Sequence, residues 1–371
     1  MTARWPHAAF LAGLLALAAA ASGCPDPFRN VEAYTVRGYL AADVLPADRE
    51  VGSWRRNGKE GEARRLTARD LRASLGEEAL KRARHWGPGE GASAVYRLGE
   101  TGRTVTVEVY DLGKASGAFD VYSLVREQAL TSTTAPQPPI AFPGLAEDMK
   151  MALEPIPPRV TKAGVQGLLL PPVWEGTEPG GSHVVASRSL VFWAERFVTR
   201  ATALGGSLNE AEAALLAFAA AVTAKLQQPF DLPEVYALQI PGELANSERY
   251  EPGRLFRRPE LSGAVTAKWK GRTGEGTLFI AVADSPGEAA GRFERLRRAA
   301  DGVSTPNFAG GLFSGSLPGA GPVICFLHGK AVVGLAGAAE AEERMAAVEA
   351  VRRRCAGEAR PASGKTEGAG K

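Results

Sequence analysis

Thr104-Val105-Thr106-Val107-Glu108-Val109-Tyr110-Asp111 is the stretch on which the fold turns. Val105, Val107 and Val109 point one way, while Thr104, Thr106, Glu108 and Tyr110 point the other. That period of two is the mark of a half-buried strand. Ala94 to Leu98 supplies a hairpin partner through the glycines Gly99 and Gly102. Beyond Asp111 the period changes, and Phe119, Tyr122 and Val125 fall on one face of a helix from about Ala115.

The same order returns downstream. His183 to Trp193 and Phe197 to Leu204 read as a second hairpin, turning at Ala194-Glu195-Arg196. Ser207 with Glu210 then forms a capping-box pattern before a helix running through Leu215, Phe218 and Val222 to Leu226. Val265 to Trp269 and Gly276 to Ala283 make a third pair, followed by a helix with Ala289, Phe293 and Leu296 inward. Strands near Gly311 to Ser316, Val323 to His328 and Ala331 to Leu335 precede a last helix carrying Met345, Val348 and Val351. Gly113-Lys114-Ala115-Ser116-Gly117-Ala118-Phe119 and Gly287-Glu288-Ala289-Ala290-Gly291-Arg292-Phe293 share one pattern. Each is expected to be a tight strand-to-helix turn with its Phe packed on a sheet. The fold class expected is α+β: two related domains, each an antiparallel sheet with helices packed on one face.

The expected divisions are a signal peptide over 1–23, a tether over 24–34, an N-terminal domain over 35–228, a C-terminal domain over 229–356 and a disordered tail over 357–371. Thr67 and Asp70 form another capping box, opening a helical stretch through Leu71, Leu75 and Leu80. Residues 131–181 carry a dense series of prolines and read as an insertion, mostly loop, with a short element over 144–153. Residues 228–252 read as irregular for the same reason.

At the start, Arg4 precedes an apolar run from Ala8 to Ala21, then Ser22, Gly23 and Cys24. A charged segment, a short apolar run and small residues describe an export signal. The run is too short for a membrane span of roughly 20 residues. Ala21-Ser22-Gly23-Cys24 also resembles a lipobox, with Cys24 the expected lipid-attachment residue and cleavage just before it. Ordinary cleavage near Gly23, releasing a soluble protein, is the alternative. The expected location is the cell envelope outside the cytoplasm. In an oxidising compartment Cys325 and Cys355 can form a disulfide or remain two thiols.

Apolar residues make up 45% of the 371, and the net charge is +3 with no basic block. This argues against nucleic acid as the main partner. His85, His183 and His328 lie far apart in sequence, so no metal site is expected. No cofactor is expected either. Gly364-Lys365-Thr366 lacks the first glycine of a phosphate loop, since residue 359 is Ala359. No G-x-S-x-G elbow occurs. Asp111, His183, Arg196 and Asp284 are the polar site candidates, with turn chemistry the commoner role for both aspartates. Trp174, Phe192, Trp193 and Phe197 can line a groove, although core packing is the commoner role.

Several segments together resemble the domain-of-unknown-function family 6599 of bacterial exported proteins. They are Leu45-Pro46 leading to Trp54, Val107 to Asp111 running on to Ala118-Phe119-Asp120-Val121-Tyr122-Ser123, Phe192-Trp193, and Ser247-Glu248-Arg249-Tyr250. Gly76 to Arg82 departs from that family's Gly-Ala-rich helix, and the Pro-rich stretch reads as an insertion. The resemblance implies export and a shared α+β fold, and it transfers no catalytic residue. The function expected is a non-enzymatic envelope module, binding a protein or ligand through a sheet face or the cleft between its halves. A periplasmic hydrolase with an unrecognised active site is the alternative. The expected partners are the membrane, through the lipid anchor, and an envelope protein.

Overall fold

The computed structural model describes residues 40–57, 62–132, 158–161, 166–171, 173–175, 185–226, 233–304 and 311–355. Cys24, His183, the expected signal peptide and tether, residues 144–153 and the expected tail lie outside them. The chain divides into two compact units, meeting in sequence between Leu232 and Pro233.

In the first unit the strands are β1 (Trp54–Arg56), β2 (Arg64–Leu66), β3 (Gly91–Leu98), β4 (Thr104–Asp111), β5 (Arg159–Thr161), β6 (Gln166–Leu169), β7 (Val173–Glu175), β8 (Val185–Ala194) and β9 (Phe197–Leu204). They form one sheet in the order β1-β3-β4-β9-β8-β6-β5, with β2 also on β3 and β7 on β8. Its helices are α1 (Ala68–Leu75), α2 (Glu77–Trp86), α3 (Ala115–Ser132) and α4 (Leu208–Lys225). The second unit holds α5 (Pro233–Leu238), β10 (Arg249–Arg254), β11 (Ser262–Lys270), β12 (Glu275–Val282), α6 (Pro286–Ala299), β13 (Asp301–Ser304), β14 (Leu312–Leu317), β15 (Gly321–His328), β16 (Ala331–Gly337) and α7 (Ala341–Cys355). Its sheet runs β10-β11-β12-β16-β15-β14-β13. Every pairing in both sheets is antiparallel.

The α+β class and the two sheet-based units are therefore as expected. Each unit is built from two hairpins, each leading to a helix. The second strands of the hairpins meet at the centre: β3-β4-β9-β8 in one unit and β11-β12-β16-β15 in the other.

Helices lie on both faces of each sheet rather than on one. Val105, paired with Tyr96, faces α4, where Tyr96 meets Phe218 at 4.7 Å between ring centroids. Tyr110 has the opposite parity and pairs with Val198, which pairs with Trp193. Trp193 meets Phe119 of α3 at 5.3 Å. The polar side of the Thr104–Asp111 strand is thus apolar at its far end, where Tyr110 is buried beside Ser74 of α1, while α3 packs on the same face over β8 and β9. Phe192, Trp193 and Phe197 are all core residues. The side chain of Trp174 lies outside the described residues.

The two Phe-containing turns differ in construction. Phe119 and Phe293 both pack inward, the latter against Phe313 at 5.2 Å. Gly113 has φ of 76°, which glycine adopts without steric cost. At the second turn Ser285 caps α6 by accepting from the Glu288 N–H, and Gly287 falls inside the first turn of the helix. Both expected capping boxes are present, Thr67 with Asp70 and Ser207 with Glu210.

The Pro-rich stretch holds more structure than expected, namely β5, β6 and β7. These short strands contain no proline, and β6 adds to β8 at the sheet margin. Residues 228–252 likewise contain α5, opened by Pro233 where a missing N–H costs nothing, and most of β10. Pro252 sits beside a register shift of that edge strand, where a ladder donor is dispensable.

Cys325 and Cys355 are not bridged, and both are buried thiols. Cys325 pairs with Phe313 and Gly334, on the sheet face packed by α6. Cys355 ends α7. A Cβ on Gly271 would meet both the Trp269 ring and the Glu343 carboxylate, so α7 lies on the Trp269 side, which is the other face. The sheet stands between the two sulfurs.

Candidate functional site

The β4–β9 pairing sets Glu108 opposite Arg200, and Thr106 opposite Thr202. The β8–β9 pairing adds Ser189 opposite Thr202. These side chains share the sheet face that α3 covers only in part. Thr104, Thr106, Glu108, Arg200 and Thr202 are all half-buried.

Ser74, in the last turn of α1, ties the cluster together. Its hydroxyl donates to the Glu108 carboxylate at 2.7 Å. Arg200 donates through Nη1 to the Ser74 carbonyl and to its Oγ, and through Nη2 to Ser189 Oγ at 3.4 Å. Ser189 and Thr202 share a hydrogen bond of 2.9 Å. Tyr110 donates to Glu108 at 3.3 Å, and burial together with that carboxylate pushes its phenol well above the usual range. A carboxylate, a guanidinium and several hydroxyls therefore converge, each fixed by a partner. Towards the hairpin ends the same face continues as Thr104, Thr106 and Thr202, without a helix over it among the described residues.

The sequence candidates fare differently. Asp111 and Arg196 are brought together, with Nε and Oδ2 3.0 Å apart, because Asp111 pairs with Phe197 next to Arg196. Asp111 also accepts from the Gly113 N–H at 2.8 Å, which is the expected turn chemistry. Burial raises its pKa against the pull of Gly113 and Arg196. Asp284 is exposed, belongs to the other unit, and donates its backbone N–H to Glu288. His183 lies outside the described residues. His85 is exposed and stacks edge-on against Trp86 at 5.4 Å, as expected for a surface residue.

Comparison of the chain with protein-family models and with curated proteins finds no match. The site therefore has to be read from its own chemistry. Among the described residues no group of three or more His, Cys, Asp or Glu side chains could hold a metal ion. No described helix is long and apolar enough to cross a membrane.

Two further features frame the cluster. On the opposite sheet face, an open groove of about 450 Å³ runs between Trp54, Leu98, Ala203 and the Ala214–Ala217 side of α4. The Arg103–Glu210 ion pair, 2.8 Å, borders it. Under α3, Asp120 is buried and accepts from Arg82 Nη1 and Trp86 Nε1, both at 2.9 Å. This explains the aspartate in the Ala118-to-Ser123 segment: it ties α2 to α3.

Reading the sequence for motifs missed Ser74, Glu108, Arg200, Ser189 and Thr202. The available signal was a glutamate and an arginine in the middle of strands, where charged residues are uncommon.

Proposed function

We propose that this protein is a non-enzymatic binding module of the cell envelope, held to the membrane by a lipid on Cys24. In this reading it meets an envelope protein through the Thr104–Thr106–Glu108 and Arg200–Thr202 face of its first sheet. The observation that supports it is the convergence of Glu108, Arg200, Ser74, Ser189 and Thr202 on a half-buried face. Fixed polar groups on a rigid sheet favour selective binding, because little ordering remains to be done on association. The kinship with family 6599 belongs to the same proposal.

The test is crosslinking in native membranes, with wild type set against Thr106→Arg and Thr202→Arg. A partner held by the wild type and lost from both variants supports the face. No partner at all, or one that ignores both substitutions, overturns it. Intact mass tests the anchor separately: a chain beginning at Cys24 with added acyl groups supports it, and an unacylated chain cut near Gly23 overturns it.

A second reading, a periplasmic hydrolase, is favoured by one contact, the 2.7 Å bond from the Ser74 hydroxyl to Glu108. A hydroxyl beside a base is the start of a nucleophile. Turnover of an ester, phosphate, peptide or glycan that Ser74→Ala abolishes would establish it.

A further inference from the structure

Arg254-Leu255-Phe256-Arg257-Arg258-Pro259 joins β10 to β11 in the second unit. Leu255 and Phe256 pack on the core around Leu261, Phe279 and Phe313, and the Phe256 ring lies 5.9 Å from that of Phe279. Turning two successive side chains inward forces the backbone into an uncommon shape. Phe256 has φ 53° and ψ 28°, and Arg257 has φ 61°. Bulky residues rarely adopt the left-handed region, so strong surrounding contacts must hold it. Gly319 supplies one, since even a Cβ there would approach the Phe256 carbonyl to 3.3 Å.

The result is a pinned turn whose arginines face outward. Arg254 and Arg257 are exposed and Arg258 is half-buried. None of the three forms an ion pair among the described residues. Two nearby carboxylates are engaged by α6: Glu260 by Arg295 at 3.7 Å, and Glu288 by Arg292 at 2.7 Å. The turn therefore presents clustered positive charge with its apolar residues withdrawn.

We propose that this turn docks on the phosphate headgroups of an anionic bilayer. Charge without exposed apolar surface suits headgroups better than the apolar centre of a protein interface. The proposal rests on the membrane-anchored reading above.

The experiment uses the full chain from native membranes, reconstituted in phosphatidylcholine vesicles with or without one-third phosphatidylglycerol. Phenylglyoxal labelling of arginines is read by peptide mass spectrometry. With phosphatidylglycerol, labelling of Arg254, Arg257 and Arg258 should slow at least about threefold and recover in high salt, as expected for screened charges. Exposed Arg97 of the first unit serves as the control. Equal labelling in both vesicles overturns the proposal, as does protection that survives salt. If the chain proves unacylated, the anchor reading fails and sedimentation with the same vesicles tests the turn directly. Each arginine is then worth about fivefold in binding, so Arg254→Glu, Arg257→Glu and Arg258→Glu together should weaken it at least roughly a hundredfold. Unchanged sedimentation of that triple variant overturns the proposal.

Discussion

Glu234 opens α5 in the second unit with its carboxylate buried and Oε2 without a hydrogen-bond partner among the described residues. Burial drives its pKa from an ordinary 4.5 to about 7, and the offsetting hydrogen bond comes from its own backbone N–H. Below the unfolded value the group is protonated in both folded and unfolded chains, and stability is full. Between there and the folded value the unfolded chain ionises first, so stability falls as pH rises. Above about 7 the loss is complete. The gap between the two values corresponds to about 3 kcal/mol. Glu234→Leu removes the ionisable group at similar volume. It should leave stability within about 1 kcal/mol of wild type at acid pH and raise it by about 3 kcal/mol at mildly alkaline pH. Hydrogen exchange at the β11 and β12 amides reports opening of this unit without assuming that the whole chain unfolds in one step. A Glu234→Leu effect equal at both pH values would refute the reasoning, as would no gain in alkali.

Asp120→Asn should destabilise the first unit by about 2 kcal/mol in urea unfolding, because Asn keeps a single acceptor oxygen for the Arg82 and Trp86 donors, sets an NH2 against the other, and removes the charge that faces Arg82. Arg82 is partly exposed and can turn to water, which keeps the loss below that of a fully buried pair. Gly334→Ala would set a Cβ 2.5 Å from Phe279 Cζ and 2.6 Å from the Ile324 carbonyl, an overpacking that should cost about 1–3 kcal/mol by thermal melting. Burial pushes the Cys325 thiol far above its ordinary range, so native protein should resist maleimide at this position and react only when unfolded. Intact mass should show no two-hydrogen deficit from a Cys325–Cys355 bridge.

The sequence by itself determined the alternating hairpins, the capped helices and the inward Phe119 and Phe293. Each depends on local period or local hydrogen bonding, and both can be read along a few residues. Asp111 and Arg196 were legible as polar residues at a strand end and a turn, but their ion pair depends on the register of β4 with β9. The Ser74–Glu108–Arg200 cluster joins a helix to two strands, and no local pattern connects positions so far apart. Helices on both faces of each sheet, and the separation of Cys325 from Cys355, were also decided by tertiary structure. A strand's alternation names its two faces, and only the packing of the rest of the chain determines what covers each.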